Sequence, residues 1–361
     1  MLTAVYYNNH DVRIQEAPIP QIGEDEAVLK VMTSGICGSD VIEWYRVPKA
    51  PIVLGHEATG VIDKIGSKVK KVKVGDRVFV SHHVPCNACR YCQRGNHTAC
   101  HTLHTTNYYP GGFSQYIRIP KINIDFGIYK LPDDMSFEEG TFIEPLACVS
   151  RGQRLTGLQK TDAVLIIGSG IAGILHVQLA KFKGVKKIVV SDINPYRLDL
   201  AKKFGATDTI SAKDNVPAKL KEINEGHLAD QVIVCTGATS AALSALDCVD
   251  NGGAILFFAV PDPSVKLPVP INQFWRSEIK MQTSYGAAPN DLEDSLQVLA
   301  TKQLDIKDMI THRLPLTDAQ EGFRLMAEAG QSLKVVLEPN RTRLLRDKKT
   351  DKHILFHARP I

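Results

Sequence analysis

The stretch Ala163-Val164-Leu165-Ile166-Ile167 is apolar without a break and runs directly into Gly168-Ser169-Gly170-Ile171-Ala172-Gly173. Apolar residues with no polar alternation mark a strand covered on both faces, as in a sheet sandwiched between helices. The glycines then allow a tight turn into a helix expected over 171–183. The same rhythm repeats downstream. Strand-type runs at 187–191, 230–235 and 254–260 alternate with helical stretches at 195–204 and 239–249, the first of these closed by Gly205. This alternation predicts an α/β fold, a doubly wound parallel sheet with helices on both faces.

The glycine string fits G-x-G-x-x-G, and Asp192 ends the next strand, 19 residues past Gly173. Strand, glycine turn, helix and acid at that spacing form a dinucleotide-binding Rossmann unit. Gly168, Gly170, Ile171, Ala172 and Gly173 would bring a pyrophosphate to the helix N-terminus, and Asp192 would accept hydrogen bonds from the adenosine ribose. Its carboxylate would repel a 2′-phosphate, and position 193 is Ile rather than Arg, so NAD is preferred over NADP. Asn194, before Pro195, suits the helix cap better than Asp192 does. His176 falls among apolar neighbours in the dinucleotide helix and reads as structural.

The chain has 361 residues, 44% hydrophobic and 23% charged. That length accommodates two domains at about 150 residues each. Residues 1–130 are unlike the Rossmann half. Short strand-type runs at 27–32, 60–65, 77–80 and 113–119 are separated by Gly and Pro, which suggests an irregular, barrel-like β domain. After residue 285, helices at 291–302 and 317–329 and a strand at 334–337 complete the body.

Cys86-x2-Cys89-x2-Cys92-x7-Cys100 is the sharpest local motif. Four thiolates on one loop can close a tetrahedral Zn²⁺ site with no position left for water, which makes the site structural. Two disulfides or an iron–sulfur cluster are the rivals. The last spacing lacks the tight fourth cysteine and trailing proline of bacterial ferredoxin motifs. His82, His83, His97, His101 and His104 flank the loop and read as solvated polar residues. No secretory signal pattern and no apolar run of about 18 residues is found, so metal binding in a reducing, cytoplasmic compartment is expected.

A second constellation holds Cys37-Gly38-Ser39-Asp40 and Gly55-His56-Glu57-x2-Gly60-x5-Gly66-x2-Val69, followed by Val74-Gly75-Asp76-Arg77-Val78. This long gapped string resembles the zinc-containing alcohol dehydrogenase signature, and the cysteine loop matches that family's structural zinc lobe. The resemblance, to the zinc-dependent medium-chain dehydrogenases, spans roughly 1–340. It implies a GroES-like catalytic domain over 1–150 plus 285–340, with an NAD-binding Rossmann domain over 151–284 inserted. It also implies two zinc ions per chain, one catalytic and one structural.

Position by position, Cys37 and His56 match the first two catalytic ligands, and Glu57 matches the acid that contacts the metal or sits just behind it. The third ligand position falls at Glu144, before Pro145, as in the branch containing sorbitol, galactitol-phosphate and threonine dehydrogenases. Cys148 is an alternative ligand but reads better as packed in a helix. Ser39 matches the hydroxyl that takes the substrate proton. Many relatives pass that proton to a histidine five residues after the ligand cysteine, where this chain has Ile42. Arg197 matches the basic residue of NAD-using relatives, and Cys235 and Thr236 fall where the family approaches the nicotinamide. The implied activity is reversible oxidation of a secondary alcohol to a ketone, the substrate being a polyol, sugar, cyclitol, sugar phosphate or hydroxy amino acid. Alternatives are zinc-free quinone or enoyl reduction, or cofactor binding without catalysis. Trp44, Tyr45, Arg46, Phe113 and Arg276 are candidate pocket residues for which core or surface roles stay open. A homodimer or homotetramer is implied by resemblance alone.

Basic residues outnumber acidic ones by four. Residues 341–361 hold seven basic and two acidic side chains, so the body carries one net negative charge. The surplus is a basic tail of unknown role, and the body gives no electrostatic case for nucleic acid or membrane partners.

Overall fold

The computed structural model describes residues 1–341, plus the backbone of 345–346 and 353–354, which pair as two short antiparallel strands. Apart from Arg341 and that pair, the basic tail lies outside the described residues. The strands of the body are β1 (Leu2–Asn8), β2 (Asp11–Glu16), β3 (Ala27–Ile36), β4 (Ile52–Val53), β5 (Glu57–Ile65), β6 (Arg77–Val80), β7 (Tyr116–Ile119) and β8 (Ile128–Lys130). They continue with β9 (Ala163–Ile167), β10 (Lys187–Asp192), β11 (Asp208–Ser211), β12 (Ala229–Val234), β13 (Val249–Phe257), β14 (Lys280–Thr283), β15 (Ile310–Pro315) and β16 (Lys334–Glu338).

The second half forms one six-stranded sheet, order β11-β10-β9-β12-β13-β14, with every pair parallel. Its central strand β9 is buried along its whole length, as the unbroken apolar run requires. Helices α1 (Ile143–Thr156), α2 (Ile171–Phe182), α3 (Pro195–Phe204) and α4 (Thr239–Asp247) follow the expected rhythm. Gly205 closes α3 at φ 120°, a left-handed conformation that a side chain disfavours. Two apolar clusters cover the sheet, one centred on Val164, Ile166 and Val190, the other on Leu165, Ile167 and Val232. Alternate residues of β9 therefore feed opposite faces.

The first half is a mostly antiparallel sheet, order β15-β16-β3-β5-β6-β8, with β7 also on β3; β2-β1-β4 form a smaller sheet beside it. Strands β15 and β16 come from the far end of the chain, and β16 pairs β3 antiparallel through Val336 opposite Gly35. Helix α1 runs unbroken through residue 150 and packs against α2 and against α5 (Pro289–Ala300). Its start, Glu144-Pro145, lies in the first turn, where the missing proline N–H leaves no bond unmade.

Candidate active site

Strand β3 ends at Ile36, and Cys37 caps the short turn that follows: its Sγ accepts from Ser39 N at 3.4 Å. Strand β5 begins at Glu57, opposite Gly35 of β3, and His56 immediately precedes it. The two strand ends bring Cys37, His56 and Glu57 together, with ligand atoms within 4.8 Å of one another. A thiol, an imidazole and a carboxylate so placed fit a zinc ion with a further position open. Gly35 is required by packing, because a Cβ there would overlap the Glu57 carboxylate and the Lys334 ammonium. Gly55 holds φ +93°, and a Cβ there would strike Phe113.

Buried groups set the orientation of the trio. His56 Nδ1 lies 3.4 Å from Asp40 Oδ1, and Cys37 N–H donates to Asp40 Oδ2 at 3.1 Å. Burial opposes a charge on His56, but Asp40 and Cys37 raise its pKa well above the usual range. Asp40 in turn takes a hydrogen bond from Arg46 Nη2 at 3.1 Å, and Lys334 pairs with Glu57.

Glu144 is outside this convergent set. It projects from the first turn of α1, and its Oε1 accepts from the thiol of Cys148 one turn on, at 3.5 Å. Burial raises its pKa, with His56 opposing and Glu57 reinforcing the shift.

The four cysteines of the loop also converge, with Sγ atoms within 4.8 Å of one another. The pairs Cys89–Cys92 and Cys86–Cys100 stand at 3.5 and 3.6 Å, far beyond a disulfide bond of about 2.05 Å, so the disulfide reading is not realised. Burial opposes the Cys100 thiolate, yet the N–H groups of Cys86 and Leu103 pull its pKa down to about 6, which prepares it for a metal. The lobe has only Cys92, Cys100 and Leu103 as fully buried apolar residues, too few for a core of its own. Arg151 of α1 ties it down, donating to Thr98 at 3.0 Å.

At the carboxyl end of β9, Gly168 holds φ +95°, and a Cβ on Gly173 would overlap the Gly168 carbonyl. Helix α2 therefore starts tight against the strand, with the N–H groups of Ile171, Ala172 and Gly173 in its first turn. Asp192 accepts from Ser169 N and Oγ at 2.7 and 2.8 Å and from Asn194 N at 2.9 Å. Asn194 caps α3 through Tyr196 N, as expected. Arg197 Nη1 lies 3.3 Å from where a Cβ on Gly170 would sit. Cys235 follows β12 directly, and Thr236 packs beside Gly168. These residues form one cradle at the point where the strand order reverses, and its shape fits a dinucleotide.

A row of rings leads away from the trio. His56 and His82 stand 4.9 Å apart, His82 and His83 3.8 Å, and His83 and Tyr285 6.3 Å. Tyr285, just past β14, stacks on His104 at 5.1 Å. This corrects the reading of His82 and His83 as solvated loop residues: both are half-buried, and burial lowers the His83 pKa to about 3. His101 and His104 are exposed, as read. Among the candidate pocket residues, Arg46 lies at the site, Phe113 is core, Trp44 is exposed, and Arg276 lines a separate surface groove with Pro270 and Ile271. Asp40, Lys334 and Ser169 were not marked by the sequence reading. The only local signal was a hydroxyl inside the glycine motif and an acid three residues after Cys37.

Residues 23–133 match the alcohol dehydrogenase GroES-like domain, and residues 172–301 match the zinc-binding dehydrogenase domain. Sorbitol dehydrogenase of Mus musculus is 34% identical over 350 residues, covering 94% of this chain and 96% of its own length. The crystal structure of galactitol-1-phosphate dehydrogenase from Escherichia coli superposes with TM-score 0.82 at 27% identity, over 94% of this chain and 100% of the other. A zinc-binding dehydrogenase of Sinorhizobium meliloti, bound to NADP, superposes with TM-score 0.83 at 25% identity, over 94% and 99%. The chain belongs to the zinc-dependent medium-chain alcohol and polyol dehydrogenases, oxidoreductases acting on CH–OH groups. Among the described residues no helix is long and apolar enough to cross a membrane.

Proposed function

We propose that this enzyme oxidises a secondary hydroxyl of a small polyol to the ketone, reducing NAD. The observation that carries the reading is the convergence of Cys37, His56 and Glu57 in a chain that also carries the glycine cradle. These three would hold a catalytic zinc, with Glu144 outside the ligand set, and the four-cysteine lobe would hold a second. Sorbitol dehydrogenase relatives and the Glu144-Pro145 pair support a polyol. The Asp192 carboxylate supports NAD over NADP, although the Sinorhizobium meliloti relative holds NADP.

Zinc, when bound, supplies a Lewis acid that lowers the pKa of a hydroxyl reaching it. NAD, when bound, supplies the hydride acceptor. Asp40 holds His56 through Nδ1 and so leaves Nε2 for the metal. Ser39 Oγ would take the substrate proton, and Lys334, paired with Glu57, holds its carboxylate in place. The helix N-terminus and glycine loop would seat the pyrophosphate, while Asp192 and Arg197 would flank the ribose and Cys235 and Thr236 the nicotinamide side.

The catalytic unit is 1–150 with 285–340, and the Rossmann unit is 151–284. Eight free cysteines support a reducing, cytoplasmic setting. The exposed Ile271 and Trp275 beside edge strand β14 support a homodimer or homotetramer. A panel of sorbitol, xylitol, inositol, galactitol 1-phosphate and threonine, each with NAD and with NADP, tests the reading through absorbance at the NADH band. Fastest turnover is expected with a polyol and NAD, and His56→Ala should abolish it while NAD still binds. Preference for NADP, or activity confined to threonine or the phosphate, would overturn it.

A further inference from the structure

We propose that Arg46 is a positioning residue for the proton-accepting hydroxyl of Ser39. The inference rests on the role given to Ser39 above and adds a second group to it. Arg46 closes the short helix Glu43–Arg46, and its guanidinium makes three hydrogen bonds at the site. Nε donates to the Ser39 carbonyl at 3.0 Å, and Nη2 donates both to Ser39 Oγ at 3.0 Å and to Asp40 Oδ1 at 3.1 Å. The side chain is only 13% exposed and lies over the Tyr45 ring, its central carbon 4.6 Å from the centroid. A planar fork held at this many points has little rotamer freedom left.

The direction of those bonds decides what Ser39 can do. A hydroxyl has one hydrogen and two acceptor lone pairs, whereas a guanidinium only donates. Arg46 therefore occupies one lone pair of Oγ and turns the serine hydrogen away from itself. One lone pair and one O–H remain, the minimum set for a relay. As the substrate O–H bond breaks, the free lone pair forms the new Oγ–H bond, and the original serine proton passes to water, which reaches this half-buried side chain. The hydride leaves the carbinol carbon with its electron pair for oxidised NAD, and the C=O bond forms. Ile42, one turn away, offers no proton path. The permanent charge of Arg46 stabilises the oxygen while the two protons exchange.

The test compares Ser39→Ala, Arg46→Met, Arg46→Lys and the double variant Ser39→Ala/Arg46→Met in the full-length zinc-loaded enzyme. Sorbitol is the substrate, or whichever polyol of the panel turns over faster. Ser39→Ala should lower kcat about 100-fold or more, in the range of a lost proton-transfer group. Arg46→Met should lower kcat about 10- to 100-fold with an enlarged solvent deuterium isotope effect, while KM for NAD and zinc content hold and the melting temperature falls because buried Asp40 loses a partner. Arg46→Lys should recover little, since a single ammonium does not span both acceptors. The double variant should be no slower than Ser39→Ala. If Ser39→Ala keeps its kcat, the relay itself is wrong. If Ser39→Ala is slow but Arg46→Met is not, or if the two losses multiply, or if both Arg46 variants lose zinc, only the role given to Arg46 is overturned.

Discussion

Lys334 of β16 and Glu57 of β5 form an ion pair in which both side chains are withdrawn from water, 0% and 1% exposed. The ammonium also lies 5.1 Å from the Phe142 ring, a favourable cation–π geometry. Replacing one member of a buried pair strands the other charge, at a cost of about 3–5 kcal/mol. Lys334→Met should therefore lose that much in urea unfolding of the metal-stripped protein. Lys334→Met/Glu57→Gln should recover most of it, and a single variant as stable as the parent would show that the pair contributes nothing.

The two glutamates at the site are separable by metal analysis. With Glu57 as ligand, Glu57→Gln should leave about one zinc per chain, while Glu144→Gln should keep about two and slow turnover. Zinc loss from Glu144→Gln instead would place Glu144 in the ligand set. Cys92→Ser should release the other zinc and lower the melting temperature, leaving the Glu57 site loaded.

Asp192 offers the cofactor a carboxylate already fixed by Ser169 and Asn194. Hydrogen bonds to a charged group contribute about 1.5–3 kcal/mol. Asp192→Ala should weaken NADH binding by about 10- to 150-fold in fluorescence titration. NADPH should weaken far less, since the repulsion of its 2′-phosphate is gone. An unchanged ratio of the two affinities would count against Asp192 as the discriminator.

His176 is buried in α2, its ring edge-on to Phe258 at 4.8 Å, and burial holds its pKa down to about 3. Its charged form is thus open only to the unfolded chain, whose histidines titrate near 6.5. The sign follows: its neutral burial carries no penalty above about pH 6.5, and stability falls as pH drops from there toward 3. Between pH 6.5 and 5 the loss amounts to about 2 kcal/mol. His176→Leu should flatten that part of a stability–pH curve measured by urea unfolding, although Gln153, 3.3 Å from Nδ1, loses a partner at every pH. An acid limb as steep as in the parent would assign the loss to other groups.

What was readable in the sequence is what is encoded locally. Strand β9 and the glycine turn are contiguous, and the cysteine loop carries its ligands within fifteen residues. The histidines defeated a local reading: His82 and His83 sit in a polar stretch, and only their packing on His56 and against Tyr285 gives them a role. Lys334 is 277 residues from Glu57, and at the start of a Val-Val-Leu strand it reads as a solvated end residue. Helix α1 was hidden because Glu144-Pro145 looks like a turn until the proline is placed in the first helical turn. Strands β1, β2, β4, β8, β11, β14 and β15 carry no such local signal, being short or mixed in polarity and defined by their partners.

The return of β16 to β3 also bears on how the chain is made. Cys37, His56 and Glu57 leave the ribosome early, but the lysine that neutralises Glu57 follows only after the whole parallel sheet has been synthesised. Until then Glu57 lacks this counter-charge, and the edge of β3 that β16 pairs stays open. The nascent enzyme therefore cannot complete its active centre from its own N-terminal half. The dinucleotide unit, whose strands are contiguous in sequence, is free to fold first, and the catalytic sheet closes only once β16 is available.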